Sequence, residues 1–413
     1  MTKNYLFIRI KYSFYRIKEE GFLWFIHKIF NLSINYIMYI LLIPLNIFLY
    51  LLNYRLVPIL VDRIGHLAGE SDCFIKLKLM GIINSDSKYL LLKDKNKICN
   101  EFFFDLLSKY FIVIDNKYLI FVLNFLSLGP GIKFNINKFI LAIETSCDYY
   151  YVNSIYTDRM PLFKFPNDKV ESCISDLSKI GMSSKKKFVC LHVRSEGYSI
   201  EDDRVHSHRN FPKESMYESI LQIIKNGDNC VLMGDTNAPV FPKISGLIDY
   251  AHSEIRSDIL DVYLCSHAKF FLGNSSGLFI LSSVFNVPCA LTNIMPFACT
   301  GFKSTDISIP KLIFNSSNGQ FLNIQEIMHS KICNYRNAIQ FRDHNLELVS
   351  NDSSDILSLT MEMYNLIENK LPQDYFLQSN KIFTKYLNVN NYCFMTQSNI
   401  SNHFILKHNS IFF

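Results

Sequence analysis

From Lys187 onward the chain repeats one pattern: a short apolar run, an exit into small or polar residues, then an amphipathic stretch. "KFVCLHV", "NCVLMGD", "KFFLGNSS" and "PCALTNI" are the apolar runs, and "PKESMYESILQIIKNG", "RSDILDVYLCSHA" and "GLFILSSVFN" lie between them. Continuous apolar runs bury both faces of a strand, and intervening helices of 10–15 residues supply right-handed crossovers. The pattern therefore predicts βαβ units and a parallel sheet, an α/β fold. Pro212 before the first helix and Gly227 at its end are the expected punctuation.

A similar alternation precedes it. "LVPILVD", "KYLLLK", "YFIVID" and "FILAIE" read as strands, and "RIGHLAGESD" as a turn into a helix. The stretch "KFPNDKVESCISDLSKIGMSSKKK" turns polar and marks a junction. Two α/β halves imply two Rossmann-like domains facing a cleft, expected at residues 55–183 and 184–350. Residues 351–413 form a helical extension, led by "SSDILSLTMEMYNLIEN".

The amino terminus differs. No charged residue occurs from Ile29 to Tyr54, and "YIMYILLIPLNIFLYLL" approaches the length of a membrane span. Before it, "KNYLFIRIKYSFYRIKEEGFLWFIHKIF" is basic, aromatic and helically spaced, as in an interfacial helix. Pro44 and Asn31, Asn35, Asn46 and Asn53 interrupt the run, so a monotopic or re-entrant anchor is expected of residues 1–54. The alternatives are a true span and a buried hydrophobic helix. The eleven cysteines are dispersed without a CxxC pair, which fits reduced thiols in a reducing compartment. The expected location is the cytoplasmic face of a membrane. A net charge of +5 suits anionic ligands and lipid headgroups and does not call for nucleic acid.

In open α/β sheets, ligands bind beyond the carboxyl ends of the strands. "KFVCLHV" leads to His192 and, just beyond, Arg194, which share a strand face. "NCVLMGD" ends in Gly234 and Asp235, and "KFFLGNSS" in Asn274, Ser275 and Ser276, with Gly277 opening the next helix. An arginine fork matches phosphate oxygens, and hydroxyls with unpaired N–H groups at a helix start form an anion site. Tyr250 and Arg256 are further donor-site candidates, with Ser257 a possible cap and Asp258 and Asp261 on one solvated helical face. Each candidate has a plainer alternative: Ser276 an ordinary cap, His192 a buried hydrogen-bonded histidine, Arg194 a salt bridge to Glu196 or Asp203. In "RIGHLAGE", His66 at a helix start is a candidate general base, with Glu70 one turn on. Arg63, His206 and His208 are candidate acceptor contacts, and "SEGYSIEDDRVHSHRNF" a flap over the site. There is no GxGxxG, P-loop or DxD, so no metal is expected and the only co-substrate would be a nucleotide sugar.

These residues carry a resemblance. "RIGHLAGE", "LHVR…GY", "RSDILDVYLC" and "FFLGNSSGL" look like the marks of bacterial glycosyltransferase-like proteins of surface-polysaccharide loci, over roughly Val57 to Pro296. "SNISNHFILKHNSIFF" resembles their carboxyl terminus more weakly. More distantly, "HVR" with a later "NSS" is similar to fucosyltransferase-like enzymes of the GT-B class. That resemblance implies diphosphate binding by Arg194, with Ser275 and Ser276 at the same group. Where those enzymes continue with a second arginine and an aspartate, this chain reads Ser195-Glu196. The expected activity is transfer of a sugar from a nucleotide-sugar donor to a glycan or lipid-linked acceptor. A non-catalytic sugar- or nucleotide-binding scaffold and a nucleotide-sugar epimerase are the alternatives.

Overall fold

The computed structural model describes residues 21–136, 147–156, 161–194 and 205–413. The expected strand "FILAIE", most of the amino-terminal interfacial helix and much of the flap lie outside the described residues. In chain order, helices α1 (Phe22–Leu41) and α2 (Ile43–Leu51) precede strand β1 (Tyr54–Leu56). Helix α3 (Ile64–Leu79), β2 (Lys88–Leu92), β3 (Ile112–Ile114) and α4 (Lys117–Leu126) follow. Then come β4 (Phe188–His192), α5 (Tyr217–Lys225), β5 (Asn229–Met233), β6 (Leu247–Asp249), α6 (Asp258–His267) and β7 (Phe271–Gly273). Helix α7 (Gly277–Val284) leads to β8 (Cys289–Ile294), β9 (Ile307–Pro310), β10 (Leu312–Asn315), β11 (Gln320–Phe321) and β12 (Leu346–Val349). Helix α8 (Ser353–Ile367) and β13 (Asn399–Ile400) lie toward the carboxyl terminus.

The chain divides into two compact units. The larger comprises residues 59–83, 97–109 and 136–413 and holds a seven-stranded sheet in the order β13-β9-β8-β7-β4-β5-β6. Every pairing in it is parallel. The four strands read from the sequence are all present at its centre, and β5, β7 and β8 are wholly buried, which is why they carry no polar alternation. From β4 the chain winds outward through β5 to β6, returns to the other side of β4 as β7, and winds out again through β8 and β9. The reversal between β4 and β7 is the topological switch point, where adjacent crossovers leave on opposite faces and open a crevice. The core beneath is continuous, and Val189, Leu191, Ile220, Leu232, Leu272 and Ile356 are among its fully buried members.

Short strands β6, β9 and β13 carried too little pattern to be read. A small antiparallel sheet, β11-β10-β12, was also missed. Residues 351–413 are not a separate extension. Helix α8 contributes Ile356, Leu359 and Met363 to the main core, and β13 pairs with β9 as the edge strand.

The smaller unit comprises residues 1–58, 84–96 and 110–135. Its parallel sheet has three strands, β1-β2-β3, over a core of Leu56, Leu90, Leu123, Leu126 and Ile132. The boundary expected at residue 54 falls on the first residue of β1, so the apolar helices and the sheet are one folded piece. Nor do residues 55–183 form one domain. Helix α3 and the segment 97–109 cluster with the larger unit, because α3 packs against α7. No single described helix is long and apolar enough to cross a membrane, although α1 and α2, bent by 53°, pass together by length and composition.

Candidate functional site

The ends of α3 and α7 meet through glycine. A Cβ on Gly65 would lie 2.8 Å from the Gly277 Cα, and one on Gly277 would lie 2.9 Å from the Gly65 amide nitrogen. One turn later a Cβ on Gly69 would meet Ile280 at 3.0 Å. Residues without side chains therefore let two helix starts touch. Each start carries unsatisfied N–H groups and the positive end of a helix dipole. Two motifs read separately in the sequence, "RIGH" and "NSSG", become one electropositive point.

That point opens on a cavity of about 620 Å³, lined wholly by residues of the larger unit. The lining runs along the carboxyl edge of four adjacent strands, β5, β4, β7 and β8. Four strands spaced by about 4.8 Å make an edge of roughly 15 Å.

At the β5 end, Gly234 holds φ 142°, a conformation that excludes a side chain, and its carbonyl accepts Arg256 Nη1 at 3.3 Å. Asp235, Asn237 and Asp261 also line this end. Asp261 is not a solvated face residue as expected: Tyr250 Oη donates to it at 2.8 Å, and burial raises its carboxyl to about 6. Asp258 is committed elsewhere, accepting the Glu101 amide at 2.6 Å. Ser257 stands at the cap of α6 without a capping hydrogen bond from its side chain.

At the centre, the β4–β7 register places His192 opposite Gly273. A Cβ on Gly273 would sit 2.5 Å from the His192 carbonyl, so glycine sets this closeness. His192 Nδ1 is 3.2 Å from Asn274 Oδ1, and Asn274 Nδ2 donates to the Arg209 carbonyl at 3.0 Å. Burial pushes the His192 imidazole down to about 4, with Arg194 and Arg209 adding to the effect, so it is neutral near pH 7. The Arg209 guanidinium donates to the Ser275 carbonyl and Ser276 Oγ accepts the Phe279 amide at 3.3 Å, so the serine is the cap of α7. Its hydroxyl proton is what it can offer a ligand.

His66 stands one residue past Gly65. Its Nδ1 lies 2.6 Å from Glu70 Oε1, and Glu70 is completely buried, accepting the Leu60 amide at 3.2 Å. The carboxylate fixes the ring and its tautomer, leaving Nε2 for a ligand in the cavity. Glu70 is thus a partner of the histidine behind the wall.

At the β8 end the strand bulges at Asn293, φ 53°, held by reciprocal hydrogen bonds with Asn351 of 2.6 and 2.9 Å. The bulge turns Ile294, Met295 and Pro296 into the lining, beside Tyr150, Cys299, Arg336 and Tyr392. The Arg336 guanidinium lies 5.3 Å from the Tyr392 ring. His206, His208 and Arg209 complete this side, and burial drives the His208 imidazole down to about 2.

Of the residues singled out in the sequence, His66, Arg63, His192, Arg194, His206, His208, Gly234, Asp235, Arg256, Ser275, Ser276 and Gly277 all line this cavity. Glu70, Tyr250 and Asn274 do not; each is fully buried and acts through a neighbour. Arg336 and Tyr392 were missed. They stand far along the chain in segments without strand or helix periodicity, and no local signal marks them. In all, five arginines and three aspartates line the cavity, which suits an anionic ligand.

No protein-family model matches the chain, and no curated protein matches it. Among solved structures, it is similar over 57% of its length to the glycosyl transferase family 9 protein from Veillonella parvula DSM 2008, with 79% of that chain covered, 10% identity and a TM-score of 0.34. It is also similar over 57% of its length to E. coli ADP-heptose LPS heptosyltransferase II, with 83% of that chain covered, 12% identity and a TM-score of 0.33. Both are named as glycosyltransferases, but superpositions this loose do not carry an activity across to this chain.

Proposed function

We propose that the protein is a metal-independent glycosyltransferase of GT-B type. In this reading it moves a sugar from a nucleotide-sugar donor to a glycan or lipid-linked acceptor in surface-polysaccharide synthesis. The observation that carries the reading is the meeting of two helix starts at Gly65 and Gly277, with Arg194 and the His66–Glu70 pair on the same cavity. A diphosphate needs preorganised cationic and N–H donors as charge moves onto it, and these groups are held before any ligand arrives. His66 Nε2 takes the proton of the attacking acceptor hydroxyl, and Glu70 stabilises the imidazolium that results. Arg194 and the N–H groups of α3 and α7 hold the departing diphosphate. Asp235 and Asp261 suit the hydroxyls of a ribose, as acceptors of hydrogen bonds. Charge neutralisation falls to the arginines, and no metal enters the scheme. Residues 1–54 hold the enzyme at the cytoplasmic face of the inner membrane.

The test is calorimetric titration with UDP, GDP, CMP and ADP, followed by a hydrolysis screen across nucleotide sugars. A charge-assisted hydrogen bond contributes about 1.5–3 kcal/mol, so Arg194→Ala should weaken nucleoside-diphosphate binding about tenfold to a hundredfold. Arg194→Lys should restore part of that, since a point charge lacks the fork. Wild-type binding left unchanged by Arg194→Ala would remove the donor site. Binding without turnover of any donor and acceptor would favour the scaffold, and an isomerised nucleotide sugar the epimerase.

A further inference from the structure

The smaller unit has a surface that its own fold leaves uncovered. Helix α1 runs 20 residues without one buried side chain. Phe22, Leu23, Phe30, Ile40 and Leu41 are all exposed by 60% or more. Helix α4, which packs beside α1, turns Leu123 and Leu126 into the core and leaves Tyr118, Leu119 and Phe121 exposed by 70, 52 and 59%. The apolar surface therefore continues beyond the amino-terminal helices onto a helix some 65 residues later in the chain.

Charge on the unit is one-sided. Residues 21–58, 84–96 and 110–135 carry seven Lys or Arg against three Asp or Glu, and residues 1–20 carry five against two. With the whole chain at +5, the remainder is net −2, so the positive charge is concentrated on the apolar unit. Basic groups stand over aromatic rings: Lys28 over Trp24 at 4.6 Å, Arg55 over Tyr50 at 3.9 Å, Lys88 over Tyr54 at 4.8 Å and Lys117 over Tyr118 at 5.0 Å. Aromatic rings and Lys or Arg side by side are the chemistry of the bilayer interface, where rings lie at headgroup depth and cations meet anionic lipid.

The apolar helices are also tethered. Tyr39 Oη, near the end of α1, donates to the Pro130 carbonyl at 2.9 Å. On α2, the buried Asn46 donates to the same carbonyl at 3.1 Å and accepts the Ile132 amide at 2.8 Å. Ile132 in turn accepts the Leu56 amide at 2.7 Å, tying this loop to β1. These bonds fix the bent pair at its middle, so a crossing of about 30 Å would fall to one arm alone, and neither helix by itself is long and apolar enough for that.

We infer that the whole smaller unit, α4 included, is a docking module for an anionic lipid surface, and that it enters one leaflet without crossing. This extends the membrane half of the proposed function and is independent of the transferase chemistry, since it is read without any donor.

The test uses the full chain, added to preformed vesicles of phosphatidylcholine alone or with phosphatidylglycerol. Flotation should recover at least about tenfold more protein with the anionic vesicles, falling as salt rises. The emission of Trp24, the only tryptophan, should shift to the blue on binding, and iodide trapped inside the vesicles should leave it unchanged. Leu119→Glu and Phe121→Glu, both on the exposed face of α4, should each cut vesicle binding about tenfold while donor-nucleotide binding and the far-ultraviolet spectrum stay as in the wild type. Equal binding to both vesicle types would overturn the anionic preference, and lumenal quenching the one-leaflet placement. Vesicle binding indifferent to both α4 substitutions would confine the surface to the amino terminus. A stable dimer of fixed size that ignores vesicles would assign the face to a second copy of the chain instead.

Discussion

Gly65→Ala tests the site with a single methyl group. The added Cβ would lie 2.8 Å from the Gly277 Cα, and a backbone atom cannot rotate away. Carbon atoms rest at about 3.5–4.0 Å, so α3 and α7 must separate by roughly 1 Å. Overpacking of this kind costs about 1–3 kcal/mol, offset by up to about 1 kcal/mol from the better helix propensity of alanine. The expected net loss is about 1–2 kcal/mol, a fall of a few degrees in the melting temperature. The functional loss should be larger. An N–H donor moved by about 1 Å from an ideal 2.9 Å is no longer hydrogen-bonded, so UDP or GDP should bind about tenfold to a hundredfold more weakly. Gly69→Ala is the control, because its Cβ meets the Ile280 Cγ2 methyl at 3.0 Å, a side-chain atom that can move. It should change nucleotide binding less than threefold. Differential scanning fluorimetry and calorimetric titration read the two effects. A Gly65→Ala protein that melts and binds as the wild type does would refute the idea that two touching helix starts make the anion site.

His66→Ala should lower turnover by about 10²–10⁴-fold with little change in donor binding, the span expected for loss of a general base. Glu70→Gln should lower it less, since an amide oxygen can still accept from Nδ1, and a loss under about threefold for His66→Ala would place the base elsewhere. Because Asp261 holds its proton up to about pH 6 and accepts best from ribose hydroxyls as the carboxylate, binding of UDP-glucose should strengthen as pH rises through 6, by about tenfold at most, and Asp261→Asn should flatten the curve. With its carboxyl at 3.8 in the unfolded chain and about 6 in the folded one, Asp261 makes stability fall as pH rises between those values: its contribution is fully present below 3.8 and lost as pH rises through 6. His192 works in the opposite sense and at lower pH: protonated in the unfolded chain below 6.5 but in the folded chain only below about 4, it makes stability fall as pH drops between those values, and His192→Gln should lessen that fall in acid-unfolding titrations.

The sequence by itself determined the four central strands of the larger sheet and most of one wall of the cavity. Strands β4, β5, β7 and β8 are buried on both faces, so each must be an unbroken apolar run, and such runs are readable. Because a parallel sheet presents its ligand at the strand ends, the residues just past those runs were candidates at once, and His192, Arg194, Gly234, Asp235 and Ser275 all line the cavity. Short edge strands such as β6 and β13 have too few residues for any period to show, and their partners, not their composition, make them strands. Only the tertiary structure decided that "RIGH" belongs with "NSSG". Helix α3 lies far from α7 in sequence and was assigned to another domain, yet Gly65 and Gly277 are in contact. Which helix α3 packs against depends on the absence of two Cβ atoms from two distant places, and no local pattern records a pairing. The same holds for Arg336 and Tyr392, whose segments are pinned to the loop after β8 by the Ala298 amide on the Cys333 carbonyl and the Cys393 amide on the Ala298 carbonyl. Periodicity is written within a segment, whereas a site is made by segments meeting, and the shape complementarity that brings them together exists only once the chain has folded.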